Sequence, residues 1–327
     1  MENPLKISVV VPSYKRPELL SRCLQALAFQ EFKENEYEVI VVSDGPDDVT
    51  RKVTENWQQL TNMQLRYYEL PEKKGPAAAR NLGWKHANAK LIAFTDDDCI
   101  PDSQWLLHYW TAFKNDDTAQ AFTGKVVVPL PQREQCTDHA LNLSHLSTAE
   151  FITANCACNA TAMELCGGFD ERFRMAWRED SDLEFKLLKA NIQIKYVPRA
   201  MVEHPVNKAP WGVSMRDQRK GVYNALLYSK YPDLYKVRVR QKPRPLYYLM
   251  CLSLLGALVL LPFHPQQSAL LFLIWVICWL SFTMQRLEKT SRSASHVLEM
   301  LVTSAAIPFL SIYWHFYGNI RYKTFFV

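Results

Sequence analysis

The chain carries neither of the glycine-rich loops that commonly cradle phosphates. GxGxxG and GxxxxGK(S/T) are both missing from its 327 residues, which excludes a P-loop or a dinucleotide-binding turn. Paired cysteine clusters are missing too. Of eight cysteines, Cys156, Cys158 and Cys166 lie close together, but no second cluster accompanies them. Buried free thiols in a reducing compartment are therefore expected rather than a zinc site. There is no internal repeat and no low-complexity segment. The net charge of +5 is small, and basic residues do not interleave with aromatics, so no nucleic-acid partner is expected. No secretory leader is expected either. Met1-Glu2-Asn3-Pro4 runs into a strand with no basic flank and no apolar core of its own.

What is present is unevenly distributed. Up to Pro232 the chain mixes charge with short apolar runs, whereas from Tyr247 onward Leu, Phe, Ile, Val and Trp dominate. This predicts a soluble domain over residues 1–235 and a membrane-associated region over residues 236–327. The second region opens with the basic stretch Lys236–Arg244. Tyr247–Phe263 and Ser268–Met284 follow as uncharged runs of about 17 residues each, separated by His264-Pro265-Gln266-Gln267. That length is at the low end for spanning, and it predicts a two-helix transmembrane hairpin over 247–284. Basic residues precede the first run (Arg240, Lys242, Arg244) and follow the second (Arg286, Lys289, Arg292), while the turn has none. The positive-inside rule then puts the soluble domain on the cytoplasmic face of the inner membrane. Val297–Tyr317 contains Glu299, Pro308 and His315 and ends in aromatics before Arg321 and Lys323. It reads as an interfacial or re-entrant segment in preference to a third span.

Within the soluble domain, Ile7–Val11, Tyr37–Val42 and Lys90–Thr95 read as buried strands, and Leu65–Leu70 as a shorter one. Helices are expected from Leu19 to Ala28, over Val49–Leu60, over Gly75–His86 and over Glu179–Ala190. Ala119–Val128 and Ile192–Val197 read as further strands, and Gln132–Ala149 has no clear period. The alternation predicts an α/β domain with a mostly parallel sheet.

Chemistry gathers at the ends of these strands. Asp96-Asp97-Asp98 follows the fourth. Three adjacent like charges are costly unless a cation sits among them, and a divalent ion shared with phosphates would serve. Ligands of open α/β sheets bind just past the carboxyl ends of the strands. Asp44, in Ser43-Asp44-Gly45, ends the second strand and could accept N–H groups of a nucleotide base; a plain turn is the alternative. Gly75–Asn81 opens a helix with small residues that admit a ligand closely, and Arg80 lies one turn in, within reach of a diphosphate. Glu179, Asp180 and Asp182 crowd a helix start, where capping explains one acid better than three. His204 follows the last strand as a further candidate metal ligand.

Val9–Tyr14, Ser43-Asp44-Gly45, Ala79-Arg80-Asn81, Asp96-Asp97-Asp98, Gly167–Glu171 and Glu179-Asp180-x-Asp182-Leu183 occur in that order. Over about Ile7 to His204 the chain resembles the family 2 inverting glycosyltransferases of GT-A fold. The resemblance implies a nucleotide-diphosphate sugar donor, UDP- or GDP-linked, and Mg²⁺ or Mn²⁺. It implies that Pro12, Tyr14 and Asp44 hold the base, Arg80 the diphosphate and Asp96 the ribose or sugar. It makes Asp98 and His204 metal ligands and Asp180 the general base. Asn159, Gly168, Phe169, Asp170 and Glu179 fall near the sugar or acceptor. The long multi-span C-terminus of processive synthases is missing, which favours addition of one sugar. The acceptor implied is a hydroxyl of a membrane-associated saccharide, lipid-linked or not. The rival readings are a polyprenyl-phosphate sugar transferase, a nucleotidylyltransferase and a non-catalytic, membrane-tethered nucleotide-sugar-binding module. The apparent base argues against the first, because a phosphate acceptor needs no deprotonation. The second needs a Gly- and Arg-rich loop where Pro12-Ser13-Tyr14-Lys15-Arg16 stands.

Overall fold

A computed structural model describes residues 5–116 and 118–326. The Met1–Pro4 stretch, for which no leader is expected, lies outside them. Contacts divide the chain into two compact units, Met1–Pro129 with Ser144–Pro205, and Leu130–Leu143 with Val206–Val327.

The first unit is built on one sheet. Its strands are β1 (Ile7–Ser13), β2 (Tyr37–Ser43), β3 (Gln64–Glu69), β4 (Leu91–Phe94), β5 (Ile100–Pro101), β6 (Ala119–Val127), β7 (Cys156–Asn159) and β8 (Gln193–Glu203). Their order across the sheet is β3-β2-β1-β4-β7-β6-β8-β5. The first four in that order are parallel. β7 runs antiparallel to both β4 and β6, so β6, and β8 parallel to it, point the same way as β4. The carboxyl ends of β1, β2, β4 and β8 therefore share one edge. Every residue of β1 and β2 is buried, as their β-branched runs require of strands covered on both faces.

The crossover helices are α1 (Pro17–Ala28), α2 (Asp48–Leu60) and α3 (Pro76–Lys85), and α4 (Trp105–Lys114) follows β5. α1 opens on Pro17, whose fixed φ suits a first turn, and buries Leu20, Cys23, Leu24 and Leu27. α2 is capped by Asp47, which accepts from the N–H groups of Val49 and Thr50. α4 and β7 have no counterpart in the sequence reading, although Trp105, Leu106 and Tyr109 form a buried helical face.

In the second unit α5 (Asp138–Leu143) occupies the stretch that shows no clear period. The first unit resumes with α6 (Ala160–Cys166) and α7 (Glu179–Lys189). The second continues with α8 (Val213–Asp217), α9 (Val222–Lys230), α10 (Pro232–Leu234), α11 (Pro245–Leu260), α12 (Pro265–Leu287) and α13 (Ala294–Arg321). The division at Pro205 differs from the boundary expected near residue 235. The physical reason is that α9 packs on α13, where a Cβ on Gly318 would meet Val222 and Ala225 at 3.0–3.1 Å.

Two helices, Pro265–Leu287 and Ala294–Arg321, are long and apolar enough to cross a membrane, by length and composition. Pro245–Leu260 is a shorter apolar helix. The hairpin expected over 247–284 thus has one short and one long arm. The segment 297–317 belongs to one continuous helix of 28 residues with Pro308 inside it.

Candidate active site

The carboxyl edge of the sheet gathers acids and the groups that hold them. Asp96, Asp97 and Asp98 leave the end of β4, Asp97 and Asp98 sharing Arg16 and Asp96 facing Arg80. Asp97 turns inward and is 3% exposed. Its carboxylate accepts from the Ser13 hydroxyl at 2.8 Å and from Arg16 Nη1 at 3.0 Å. Burial pushes this carboxyl up to about 7; Asp98 and Asp96 add repulsion, while Arg16 and the Ser13 hydroxyl oppose the shift. Asp98 faces Arg16 Nη1 at 3.2 Å and His204 Nε2 at 3.4 Å. Asp96 pairs with Arg80 Nη2 at 2.5 Å.

His204 comes to Asp98 because β8 ends beside β6, where its N–H donates to the Val127 carbonyl at 2.8 Å. Asp98, His204 and the Cys99 thiol place one ligand atom each within 4.8 Å of one another. Burial, together with Asp96 and Asp98, raises the Cys99 thiol well above its ordinary range, which makes it the least ready ligand of the three. A carboxylate oxygen and an imidazole nitrogen remain. That donor pair fits Mn²⁺ better than Mg²⁺, which demands oxygen ligands.

Arg80 is placed differently from its expected role. The side chain is 2% exposed. One guanidinium nitrogen binds Asp96, and Nη1 donates to Glu179 at 3.2 Å. Burial alone would lower its affinity for the proton, but Asp96 and then Glu179 raise it. The cation thus ties the end of β4 to the start of α7, and both its terminal nitrogens are engaged by carboxylates. Glu179 is buried as well. Burial, and next the neighbouring Asp180, push its carboxyl up to about 7 against the pull of Arg80. Asp180 is half-buried, and Oδ1 accepts from the Ser181 N–H at 2.6 Å. Burial raises its carboxyl, while that hydrogen bond and the charges of Arg178 and Arg80 restrain it. A carboxylate raised in this way is a stronger base than one in water.

The loop between α6 and α7 explains how the acids of α7 reach this edge. α6 starts at the far end of β7, so the chain must return along α3. Asn81 guides it: Oδ1 accepts from the Phe169 N–H at 2.9 Å and Nδ2 donates to the Phe169 carbonyl at 2.9 Å. A Cβ on Gly168 (φ +64°) would come within 2.6 Å of Asn81 and Trp84. At the start of α3, a Cβ on Gly75 would meet the Arg174 carbonyl at 2.5 Å. Glycine at both positions lets the returning loop lie against the helix.

Tyr14 follows β1, with Lys73 Nζ at 4.2 Å and Lys15 Nζ at 5.2 Å from its ring centroid. Pro12 is a buried residue of β1 beside Val42. Asp44 Oδ1 accepts from the N–H groups of Lys74 and Gly75 at 2.8 and 2.7 Å, which anchors the loop before α3. Asp47 holds the Lys15 N–H at 2.6 Å, where Lys15 has φ +56°.

The structure does not bring all of the sequence-expected residues together. Asn159 pairs with Leu91, at the start of β4, because β7 runs antiparallel. It stands a strand length, about 10 Å, from the Phe94 end and caps α6 through the Thr161 N–H. It is therefore outside the acidic crevice. Phe169 is core, 2% exposed and edge-on to Phe94 at 5.3 Å. Gly168 is buried against α3, and Asp170 pairs with Arg172 at 2.7 Å. The sequence reading missed Arg16, Asp97 and Lys73. Their only sequence signal is adjacency, in the Tyr14-Lys15-Arg16 turn, the acid triplet and the segment before Gly75.

A parallel-led sheet, with acids and one histidine converging at its carboxyl edge, makes the first unit an α/β domain with a polar crevice where such sheets bind their ligands. Residues 8–164 match the family model described as Glycosyl transferase family 2. Over those residues, just under half of its length, the chain is similar to the family 2 glycosyltransferases. It is 34% identical over 101 residues to glycosyltransferase AglE of Haloferax volcanii, covering 31% of this chain and 33% of that one. It is 26% identical over 249 residues to validoxylamine A glucosyltransferase of Streptomyces hygroscopicus subsp. limoneus, covering 65% and 52%. The chain thus spans about a third and about half of these two curated relatives. Among solved structures, the mannosyltransferase PcManGT from Pyrobaculum calidifontis, in complex with GDP-Man and Mn²⁺, superposes with a TM-score of 0.56. That match has 16% identity and covers 97% of this chain and 90% of that one. S. aureus TarS 1–349 in complex with UDP gives a TM-score of 0.50 at 16% identity, covering 99% and 93%. These likenesses establish the fold.

Proposed function

We propose that this chain is an inverting, metal-dependent glycosyltransferase that moves one sugar from a nucleotide-diphosphate donor to a hydroxyl of a membrane-associated saccharide or lipid-linked acceptor. One observation carries the reading. The Asp96–Arg80–Glu179 chain of ion pairs ties the end of β4, with its acid triplet, to the start of α7, where Asp180 follows Glu179. A base and a donor site are thereby held on one rigid frame, as in-line displacement requires.

In this reading the base of a UDP or GDP lies over Tyr14, and Asp44 offers its second carboxylate oxygen to the base N–H groups. Lys15 and Lys73 supply positive charge near the Tyr14 ring for the diphosphate. Asp96 contacts the ribose or sugar. Asp98 and His204 hold a divalent cation, Mn²⁺ or Mg²⁺, which when bound stabilises charge on the departing diphosphate. A fold neighbour solved with GDP-Man and Mn²⁺ supports this choice of partners. Asp180 takes the proton of the acceptor hydroxyl, and a single displacement inverts the anomeric carbon. Arg80 acts through Asp96 and Glu179 and does not contact the diphosphate. Residues 1–235 supply the chemistry and residues 236–327 the anchor. α11 and α12 form the hairpin that enters the inner membrane, α13 is an interfacial or third membrane segment, and the basic residues before α11 and after α12 keep the catalytic unit on the cytoplasmic side.

The test joins two variants. A thermal-shift panel of UDP- and GDP-sugars with Mn²⁺ identifies the donor, because a ligand that binds only the folded state raises its melting temperature. Asp98→Asn should abolish the Mn²⁺-dependent part of that shift. Asp180→Asn should keep the shift and lower sugar transfer by roughly 10²–10⁴-fold. A fully retained Mn²⁺-dependent shift in Asp98→Asn, or near-normal turnover in Asp180→Asn, defeats the assignment.

A further inference from the structure

The exposed face of α12 is ordered in a way that catalysis does not use. Leu270, Leu273, Ile277, Leu280 and Met284 are 45–63% exposed. Their spacing of three and four residues sets them on one stripe of the helix. The stripe runs into an open groove of about 610 Å³. Ser281 and Met284 of α12, Val297 of α13, Arg133, Arg292 and Glu288 are among the residues that line it. Arg133 Nη2 donates to the Glu288 carbonyl at 2.6 Å, which fixes that guanidinium at the end of α12 and leaves its other N–H groups without a partner among the described residues. Arg292 is exposed and has no ion pair among the described residues. Two guanidinium groups stand against the one carboxylate of Glu288.

We propose that this groove binds the phosphate headgroup of an anionic membrane phospholipid, with an acyl chain lying along the Leu270–Met284 stripe. The inference rests on the reading that α12 spans the membrane. The two halves of the site match the two halves of such a lipid. A continuous apolar stripe suits a hydrocarbon chain. A groove with surplus guanidinium charge at the stripe's end suits a phosphodiester, which arginine's planar fork of donors recognises. The placement also agrees with depth. Arg286, Lys289 and Arg292 cluster where α12 ends, as basic residues do at the level of the headgroups. A zwitterionic lipid carries its own ammonium group, so its attraction to two arginines is weaker.

The experiment uses the full chain in nanodiscs of phosphatidylcholine with rising phosphatidylglycerol, reading the melting temperature. A saturable rise with phosphatidylglycerol is expected. Arg133→Gln and Arg292→Gln should each weaken the apparent affinity about fivefold. Ser281→Trp, which fills the groove and keeps its charge, should abolish the saturable component. Glu288→Gln should strengthen it, and Lys289→Gln, outside the groove, should leave it unchanged. A saturable rise that survives in the double arginine variant or in Ser281→Trp overturns the proposal. So does an equal rise with inorganic phosphate in pure phosphatidylcholine discs. Flotation with phosphatidylcholine vesicles separates the two readings. A chain that fails to float removes the membrane anchor and the lipid site together. One that floats but shows no phosphatidylglycerol effect removes the lipid site alone.

Discussion

Arg80→Met tests whether this arginine is a buried strut or a contact to the donor. Methionine keeps most of the side-chain volume and removes the charge. In the folded chain Arg80 is 2% exposed and bridges Asp96 at 2.5 Å and Glu179 at 3.2 Å. Asp96 is 27% exposed and can turn to water, whereas Glu179 is 4% exposed and cannot. Removing one partner of a buried pair costs about 3–5 kcal/mol, because the other is left uncompensated. Protonation of Glu179 relieves part of this, so the lower end is expected near pH 6 and the upper end above pH 8. At about 2–4 °C per kcal/mol for a unit of this size, the melting temperature should fall by roughly 6–20 °C. The assay is thermal unfolding without nucleotide, with Glu179→Leu and the double variant completing a cycle. The double variant should recover much of the loss, giving a coupling of at least about 1 kcal/mol. A melting temperature within about 2 °C of wild type, with nucleotide affinity lost, would refute the strut and restore the diphosphate contact.

Other consequences follow from the same geometry. Glu179 holds its proton up to about pH 7 when folded but only to 4.5 ordinarily, so the folded chain binds more protons in that window. Stability from this group therefore falls as pH rises from about 4.5 to 7, and Glu179→Gln should flatten the fall; an unchanged slope in metal-free unfolding contradicts this. Gly168→Ala should cost about 1–3 kcal/mol, because φ is +64° and the new methyl meets Asn81 and Trp84 at 2.6 Å; a neutral effect on the melting temperature counts against the loop packing. Asn159→Ala should remove the α6 cap at about 0.5–2 kcal/mol and leave kcat/KM within about twofold; a large rise in donor or acceptor KM would return Asn159 to the sugar pocket.

Much of the crevice is legible in the amino-acid order. The β-branched runs of β1 and β2 and the apolar run of β4 predict buried strands. Their polar successors, Tyr14, Asp44 and the acid triplet, then share one edge because parallel strands put all their carboxyl ends together. The start of α7 is equally legible, since acids before an apolar helical period mark a helix N-terminus. Asn159 shows where this stops. The four residues of β7 carry no signal of strand direction, and only antiparallel pairing against β4 decides that Asn159 lies at the far end. Arg80 shows the same limit in another form. Its position one turn into α3 is a local property, but whether it meets a ligand or two carboxylates depends on the loop from α6 that delivers Glu179. That loop is routed by Asn81, 88 residues away from Phe169 in sequence. Arg16 and Asp97 become partners across 81 residues, and residues 206–234 join the C-terminal unit by packing on α13, as where α9 meets Gly318. By itself the sequence determined the central strands, their crossover helices and which polar groups end them, though not α4, α5 or β7, because periodicity and turn chemistry act over a few residues. Tertiary structure alone decided strand direction, the partners of each buried charge and the division between the units, because those are settled by packing between segments distant in the chain.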